Sequence, residues 1–228
     1  MNTVIQTAMK SDARIKADVL SELAWDPRIR DNNVTLTVRS GTVTITGQAS
    51  SLAAHVAIVD AVHRVQGVLD VVDEMTVAPS ASAICSDDEI AHAVREALRW
   101  DAYLPDDRIK STVSSGVVTL QGVVDSWSNR LDAKKAVQRL IGVRSIVNRI
   151  TVGGAVIDPI AIKLQIERAL ERRAEREARR IVVSVRDGVV TLTGPVASWA
   201  DRQMVERVAG STPGVRSIDD RLTIEPYL

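Results

Sequence analysis

The strongest constraint on the fold of this chain is a seven-residue motif that occurs three times. It reads GTVTITG from Gly41, GVVTLQG from Gly116 and GVVTLTG from Gly188, so that successive copies are 75 and 72 residues apart. A Gly-Val pair follows 26 residues after the first glycine of each copy, at Gly67, Gly142 and Gly214. A fixed register kept three times indicates three copies of one structural unit. We place these units at residues 1–78, 79–152 and 153–228 and call them modules 1, 2 and 3.

Each copy of the motif lies between two amphipathic helices. Apolar residues four apart predict the first helix, at Ile15, Val19 and Leu23, at Ile90, Val94 and Leu98, and at Ile162, Ile166 and Leu170. Ser11 and Ser86 are suited to cap the first two of these helices, and Asp158 followed by Pro159 is suited to cap the third. The second helix has its apolar stripe at Ile58, Ala61, Val62 and Val65, at Ala133, Ala136, Val137 and Leu140, and at Val205, Val208, Ala209 and Thr212.

Alternating apolar residues predict three strands in each module. Two of them form a hairpin around the first glycine of the motif, the second strand ends at the second glycine, and the third strand follows the Gly-Val pair. The Gly of that pair is expected to cap the second helix at its C-terminus. Nine glycines are therefore predicted to be turn glycines, namely Gly41, Gly47, Gly67, Gly116, Gly122, Gly142, Gly188, Gly194 and Gly214.

The predicted fold class is α+β, with three tandem αββαβ modules. A helix that connects the second strand to the third gives a right-handed crossover, so each three-stranded sheet is mixed and two helices cover one of its faces. The chain has no phenylalanine, which predicts small aliphatic cores. The linkers between modules are short, and we expect the modules to touch.

The glycine-bounded hairpin, the helix, the Gly-Val pair and a final strand such as Val147-Asn148-Arg149-Ile150 resemble the BON domain family. The resemblance covers residues 11 to 225 in three copies. It implies αββαβ modules associated with osmotic stress, phospholipid surfaces, periplasmic chaperoning or potassium binding, and it implies no catalytic residues.

Charge and targeting signals restrict the class of function. The formal net charge is zero and acidic and basic residues nearly balance within each module, so no module is a polyelectrolyte. Nucleic-acid binders normally carry a concentrated basic face, and a nucleic-acid partner is therefore not expected. Cys85 is the single cysteine and cannot form an internal disulfide. The N-terminal residues show no signal peptide, which predicts a cytoplasmic protein, or a periplasmic one if a leader has been trimmed.

The sequence predicts neither an enzyme nor a metal or cofactor site. His55, His63 and His92 are the only histidines, and they do not form a ligand cluster with the cysteine. No catalytic Ser/His/Asp order repeats between copies, and no nucleotide-binding fingerprint is present. An arginine-rich stretch at 171–180 is read as a solvated helix end with pairs such as Glu175 and Arg179, and alternatively as an anionic-lipid or nucleic-acid patch.

The four tryptophans are the candidate binding residues. Trp25 and Trp100 align at the end of the first helix, and Trp127 and Trp199 align at the start of the second. Two interpretations stay open for this second pair. The rings are structural staples over a core edge or between modules, or they are apolar tips at an interface with Arg130 and Arg202 as snorkelling partners. In the second interpretation Trp127, Arg130, Trp199 and Arg202 form the binding site.

The expected function is that of a non-enzymatic, stress-related binding or stabilising protein. Its partners would be a phospholipid membrane surface or client proteins, and three copies of one module suggest avidity. The alternative is a protein that binds or senses potassium through backbone carbonyl groups, which leave no side-chain signature.

Overall fold

The computed structural model describes most of the chain in several stretches, namely residues 10–29, 33–78, 85–101, 104, 108–153, 157–172 and 180–225. Each module contains two helices and three strands in the order αββαβ. In module 1 these are α1 (Asp12–Trp25), β1 (Asn33–Arg39), β2 (Thr42–Ala49), α2 (Leu52–Arg64) and β3 (Asp70–Val77). In module 2 they are α3 (Asp87–Trp100), β4 (Ile109–Ser114), β5 (Val117–Val124), α4 (Trp127–Val137) and β6 (Ser145–Val152). In module 3 they are α5 (Pro159–Glu171), β7 (Val182–Arg186), β8 (Val189–Val196), α6 (Trp199–Gly210) and β9 (Ser217–Ile224).

The three sheets are separate and have the same topology. Their strand orders are β1-β2-β3, β4-β5-β6 and β7-β8-β9. The central strand pairs antiparallel with the first strand and parallel with the third, as in Leu36 opposite Ile45 and Val43 opposite Val71. The predicted mixed sheet and the α+β class are confirmed.

Local capping explains where the helices begin. The Ser11 hydroxyl accepts a hydrogen bond from the amide of Arg14, and Ser86 forms a full capping box with Glu89. Asp158 caps α5, with Pro159 as the first helical residue. Ser51, Ser126 and Ser198 cap the three second helices in the same way, each by accepting from the backbone amide three residues later. Each of these caps satisfies an amide that has no partner inside the helix.

Two boundary expectations were wrong. The second strand of each module continues two residues beyond its glycine, to Ala49, Val124 and Val196. Gly47 lies inside β2 with a φ of 119°, and a Cβ there would overlap the carbonyl oxygen of Asn33 on β1. The glycine is therefore needed for a close backbone approach within the sheet and not for a strand end. The second expectation concerned Gly67, which follows the C-cap residue of α2, Val65, instead of forming the cap.

The predicted turn glycines adopt backbone conformations that favour glycine. All nine have a positive φ, between 76° and 147°. The residue before the first glycine of each motif shares this feature, at Ser40, Ser115 and Asp187, with φ values of 50° to 52°. Two successive residues with positive φ are typical of a type I′ hairpin turn.

Each module has its own aliphatic core between the sheet and the two helices. The apolar faces of the first helices are buried as predicted, and Ile15, Val94 and Ile166 are at most 2% exposed. The second-helix stripe is buried in modules 1 and 3, but Ala136 and Leu140 of module 2 are only half-buried. Among the described residues, no helix is both long and apolar enough to cross a bilayer.

Candidate functional site

Trp199 connects module 3 to module 1. It is the first residue of α6, and its indole ring stacks on the imidazole of His63 near the end of α2, with the ring centroids 3.8 Å apart and the planes at 19°. The ring also packs against the core of module 1. Modules that are not adjacent in sequence are therefore in direct contact.

Trp127 makes the equivalent contact between modules 2 and 3. It is the first residue of α4, and its ring packs against the core of module 3. A Cβ at Gly210, the last residue of α6, would overlap Cδ1 of this indole. The neighbouring Ser128 hydroxyl donates to the Gly210 carbonyl oxygen at 3.2 Å. The two helices therefore meet at a glycine that leaves room for the indole.

Leu52 completes the cycle. It is the first residue of α2, it occupies the position of Trp127 and Trp199 in the repeat, and it packs against the core of module 2. Each module thus inserts the first residue of its second helix into the next module, in the order 1 to 2, 2 to 3 and 3 to 1. A head-to-tail contact that returns to its starting unit generates a closed ring. We call this arrangement the three-module ring.

A polar contact behind each inserted residue repeats in all three modules. His55, Arg130 and Arg202 lie three residues after Leu52, Trp127 and Trp199, and each reaches the third strand of its own module. His55 Nε2 lies 2.7 Å from Asp73 Oδ2, Arg130 donates to the Asn148 carbonyl oxygen at 3.4 Å, and Arg202 Nε donates to Asp220 Oδ2 at 2.6 Å. The side chains of Asp73, Asn148 and Asp220 also accept from the backbone amide two residues later.

This contact between the second helix and the third strand was not predicted from the sequence, although one signal for it is present. The helix residue and the strand residue are 18 positions apart in every copy. Because the residue types differ, being His with Asp, Arg with Asn and Arg with Asp, the pair is visible only once the three copies are aligned.

The four predicted binding residues lie together at the module interfaces. Arg130 and Arg202 place their guanidinium groups 4.8 Å from the ring centroids of Trp127 and Trp199 respectively. Both indoles are half-buried, and their Nε1 atoms are buried without a hydrogen-bond partner among the described atoms. These contacts agree with the interpretation of the rings as staples between modules. A binding role for the four residues stays a prediction.

The other two tryptophans are the most exposed large apolar residues described. Trp25 at the end of α1 and Trp100 at the end of α3 are each 82% exposed. They occupy the same position in the repeat, where module 3 has Arg172. Because the three modules repeat one head-to-tail contact, Trp25, Trp100 and Arg172 occupy equivalent positions around the three-module ring.

A basic groove lies beside Trp100. It has a volume of about 620 Å³, lies between α3 and β4, and is lined by Arg95, Arg99 and Lys110 together with the hydroxyl groups of Ser111 and Thr112. The acidic residue of the groove, Glu96, accepts a hydrogen bond from the Trp100 indole at 3.3 Å. The other two modules do not have these basic residues. At the positions of Arg95, Arg99 and Lys110, module 1 has Leu20, Ala24 and Thr35, and module 3 has Glu167, Glu171 and Val182.

Within the described residues, no group of three or more His, Cys, Asp or Glu side chains is placed to hold a metal ion. The arginine-rich stretch at 171–180 falls for the most part outside the described residues, including the pair Glu175 and Arg179.

Comparison with known proteins places all three modules in one family. The family model described as the BON domain matches at residues 11–79, 86–154 and 161–226. A curated relative, osmotically-inducible protein Y of Escherichia coli (strain K12), is 30% identical over an alignment of 133 residues that covers 53% of this chain and 66% of the relative. The match thus spans less than two thirds of that protein.

Solved structures with similarity to the chain include CdsD, a structural protein of the type III secretion system of Chlamydia trachomatis. One such structure is 13% identical with a TM-score of 0.27, and the match covers 92% of each chain. A second, of the C-terminal domain of CdsD, is 12% identical with a TM-score of 0.27 and covers 95% of this chain and all of that one.

Proposed function

The chain belongs to the BON domain family, and on that premise we propose that it is a non-enzymatic, stress-related binding protein that attaches to phospholipid surfaces through Trp25 and Trp100. The link to osmotic stress is supported by the relative named osmotically-inducible protein Y. The absence of a recurring catalytic constellation in the three copies supports a binding role over a catalytic one.

The observation that carries this proposal is the exposure of two indoles at equivalent positions of the three-module ring. An indole ring that is 82% exposed has a large unfavourable contact with water. Tryptophan is enriched at membrane–water interfaces, where its apolar body and its polar N–H are both accommodated. If both rings of one chain insert into the same bilayer, the second insertion is intramolecular and strengthens the binding.

The basic groove beside Trp100 supports an anionic phospholipid as the preferred surface. Arg95, Arg99 and Lys110 are all exposed, and they line the same groove as Glu96, which contacts the Trp100 indole. Basic residues near an anionic bilayer contribute about 1 kcal/mol each. The Ser111 and Thr112 hydroxyls add hydrogen-bond donors for phosphate oxygens.

Vesicle co-sedimentation tests the proposal. Trp25→Ala combined with Trp100→Ala should reduce binding to phosphatidylcholine vesicles that contain phosphatidylglycerol by about tenfold or more, with no loss of folded structure by circular dichroism. Ile141→Ala combined with Ile160→Ala is the matched control, since both side chains are 68% exposed and lie elsewhere. This control should bind like the parent protein.

The charge contribution is tested separately. Replacing Arg95, Arg99 and Lys110 with Gln should abolish the preference for anionic over purely zwitterionic vesicles and leave the tryptophan-dependent binding in place. Equal vesicle binding by the double tryptophan variant and the parent would contradict the proposal. Suppression of client aggregation without vesicle binding would support the client-protein alternative, and stabilisation by KCl but not NaCl would support the potassium alternative.

A further inference from the structure

The second helices of the three modules enclose a pocket at the centre of the three-module ring. It has a volume of about 470 Å³ and is lined by residues of α2, α4 and α6, and we call it the axial pocket. Such a volume is within the range of roughly 300–1,000 Å³ that small-molecule sites occupy. Because the pocket needs all three helices, a single module cannot form it.

The three helices contribute different charged side chains to the axial pocket, although the modules are repeats of one fold. One helical position contributes Asp60 from α2, Lys135 from α4 and Arg207 from α6. The position before it contributes Lys134 from α4 and Glu206 from α6. Three modules of one fold thus form one asymmetric site and not three equivalent ones.

Glu206 is the most unusual of these groups. Its side chain is half-buried, and among the described residues it forms neither a hydrogen bond nor an ion pair. Burial raises the pKa of this carboxyl, and the neighbouring Asp220 raises it further, while Arg202, Lys135 and Lys134 act in the opposite direction. A partly desolvated carboxylate without a partner is costly and favours a ligand that brings a positively charged group to it.

Unpaired cations line the same pocket. The side chains of Lys134 and Arg207 form no ion pair among the described residues, whereas Lys135 lies 3.5 Å from Asp132. The lining contains six ionisable groups, and together they carry no net charge. Three are acidic and three are basic: Asp60, Asp132 and Glu206, and Lys134, Lys135 and Arg207. Such a site does not concentrate ions of one sign, and it suits a neutral molecule with separated charges.

We propose that the axial pocket binds a small zwitterionic solute, with the cationic group of the solute at Glu206 and its anionic group at Lys134 and Arg207. The apolar side chains of Val56 and Leu131 and the edge of Trp127 contact the carbon skeleton between the two charges. This site is independent of the phospholipid-binding surface, which lies at the ends of α1 and α3.

Isothermal titration calorimetry with glycine betaine, β-alanine and proline tests the site. At least one of these zwitterions should bind saturably with one site per chain at low millimolar concentration. Choline, which has only the positive charge, and acetate, which has only the negative charge, should each bind about tenfold more weakly or worse. Saturable binding distinguishes a site from the general stabilisation that excluded osmolytes give to any protein.

Two variants locate the binding. Glu206→Gln and Arg207→Gln should each weaken zwitterion binding about tenfold while circular dichroism and vesicle binding stay unchanged. Glu74→Gln and Arg186→Gln are the matched controls, because both side chains lie on exposed strand positions away from the pocket. The proposal is overturned if none of the three zwitterions binds, if choline or acetate binds as tightly, or if the control variants weaken binding as much.

Discussion

At the scale of single residues, Gly210 is required by another side chain and not by its own backbone. It is the last residue of α6, and unlike the turn glycines it does not have a positive φ. An alanine there would be favoured by helix propensity by about 1 kcal/mol. The Trp127 indole occupies the space of the missing Cβ, while modules 1 and 2 have His63 and Gln138 at this position.

Gly210→Ala should therefore destabilise the protein although it replaces a glycine within a helix. The expected cost is about 1–2 kcal/mol, because overpacking at a filled contact exceeds the gain in propensity. Urea denaturation measures it. In the Trp127→Ala background the change in the free energy of unfolding should have the opposite sign, and Gly210→Ala should stabilise the protein by up to about 1 kcal/mol. A stabilising effect in the parent protein would show that the indole is not held against α6.

The difference between these glycines also shows what the sequence can predict about residues. The glycines of the hairpin turns, such as Gly41, occur at fixed positions in each copy, and their requirement is local, so the repeat was sufficient to identify them. The requirement at Gly210 comes from a tryptophan in another module. No local pattern contains that information.

At the scale of elements, a carboxylate ties the first helix to the hairpin turn in two of the three modules. Asp87 at the start of α3 accepts hydrogen bonds from the amides of Ser115 and Gly116 at 2.7 and 2.8 Å. Asp12 does the same for Ser40 and Gly41. Module 3 has Pro159 at this position, so it has no carboxylate there. In modules 1 and 2 the carboxylate therefore supplies a hydrogen-bond acceptor for the amides at the centre of the turn.

Asp87→Ala should destabilise module 2 by about 1.5 kcal/mol or more, because hydrogen bonds to a charged acceptor are stronger than neutral ones. Asp88→Ala is the matched control. Both residues lie in the first turn of α3 and interact with the helix dipole, but Asp88 is exposed and has no part in the turn. Urea midpoints of the two variants give the comparison, and equal losses would mean that the turn contact contributes nothing.

Elements were predictable from sequence to the extent that their causes are local. Caps, apolar stripes and the alternation of the strands set the order αββαβ and the mixed sheet. The predicted strand ends were wrong because a glycine such as Gly47 is typical of the end of a strand. Glycine is required at this position because the carbonyl of Asn33 on the adjacent strand lies too close for a Cβ. The tie between Asp87 and the turn was missed because it joins residues 28 and 29 positions apart.

At the scale of the whole molecule, the ring depends on an interface that the chain connectivity does not enforce. Modules 1 and 2, and modules 2 and 3, are held near each other by short linkers. Modules 1 and 3 meet through Trp199 on His63. The sequence could not predict this closure, because a large ring at the start of a helix is equally compatible with its own core, with a neighbouring module and with a partner surface.

The closing contact should respond to pH through His63. Burial lowers the pKa of His63 from its usual value of 6.5, and Arg202 lowers it further, while Asp60 and Asp70 act in the opposite direction. An opened ring exposes the imidazole and returns its pKa toward 6.5. The opened form then binds the proton more readily than the closed form, so closure is fully favourable above about pH 6.5 and weakens as the pH falls below it.

Small-angle X-ray scattering should detect the change. The radius of gyration should increase when the pH falls from about 8 to about 5, with the helix content by circular dichroism unchanged. His63→Gln, which introduces the residue that module 2 carries at this position, should remove the pH dependence because glutamine does not titrate. His92→Gln, at an exposed histidine of α3, should keep it. An expansion that persists in His63→Gln would place the sensitive group elsewhere and leave the stacked pair as a contact without a role in pH response.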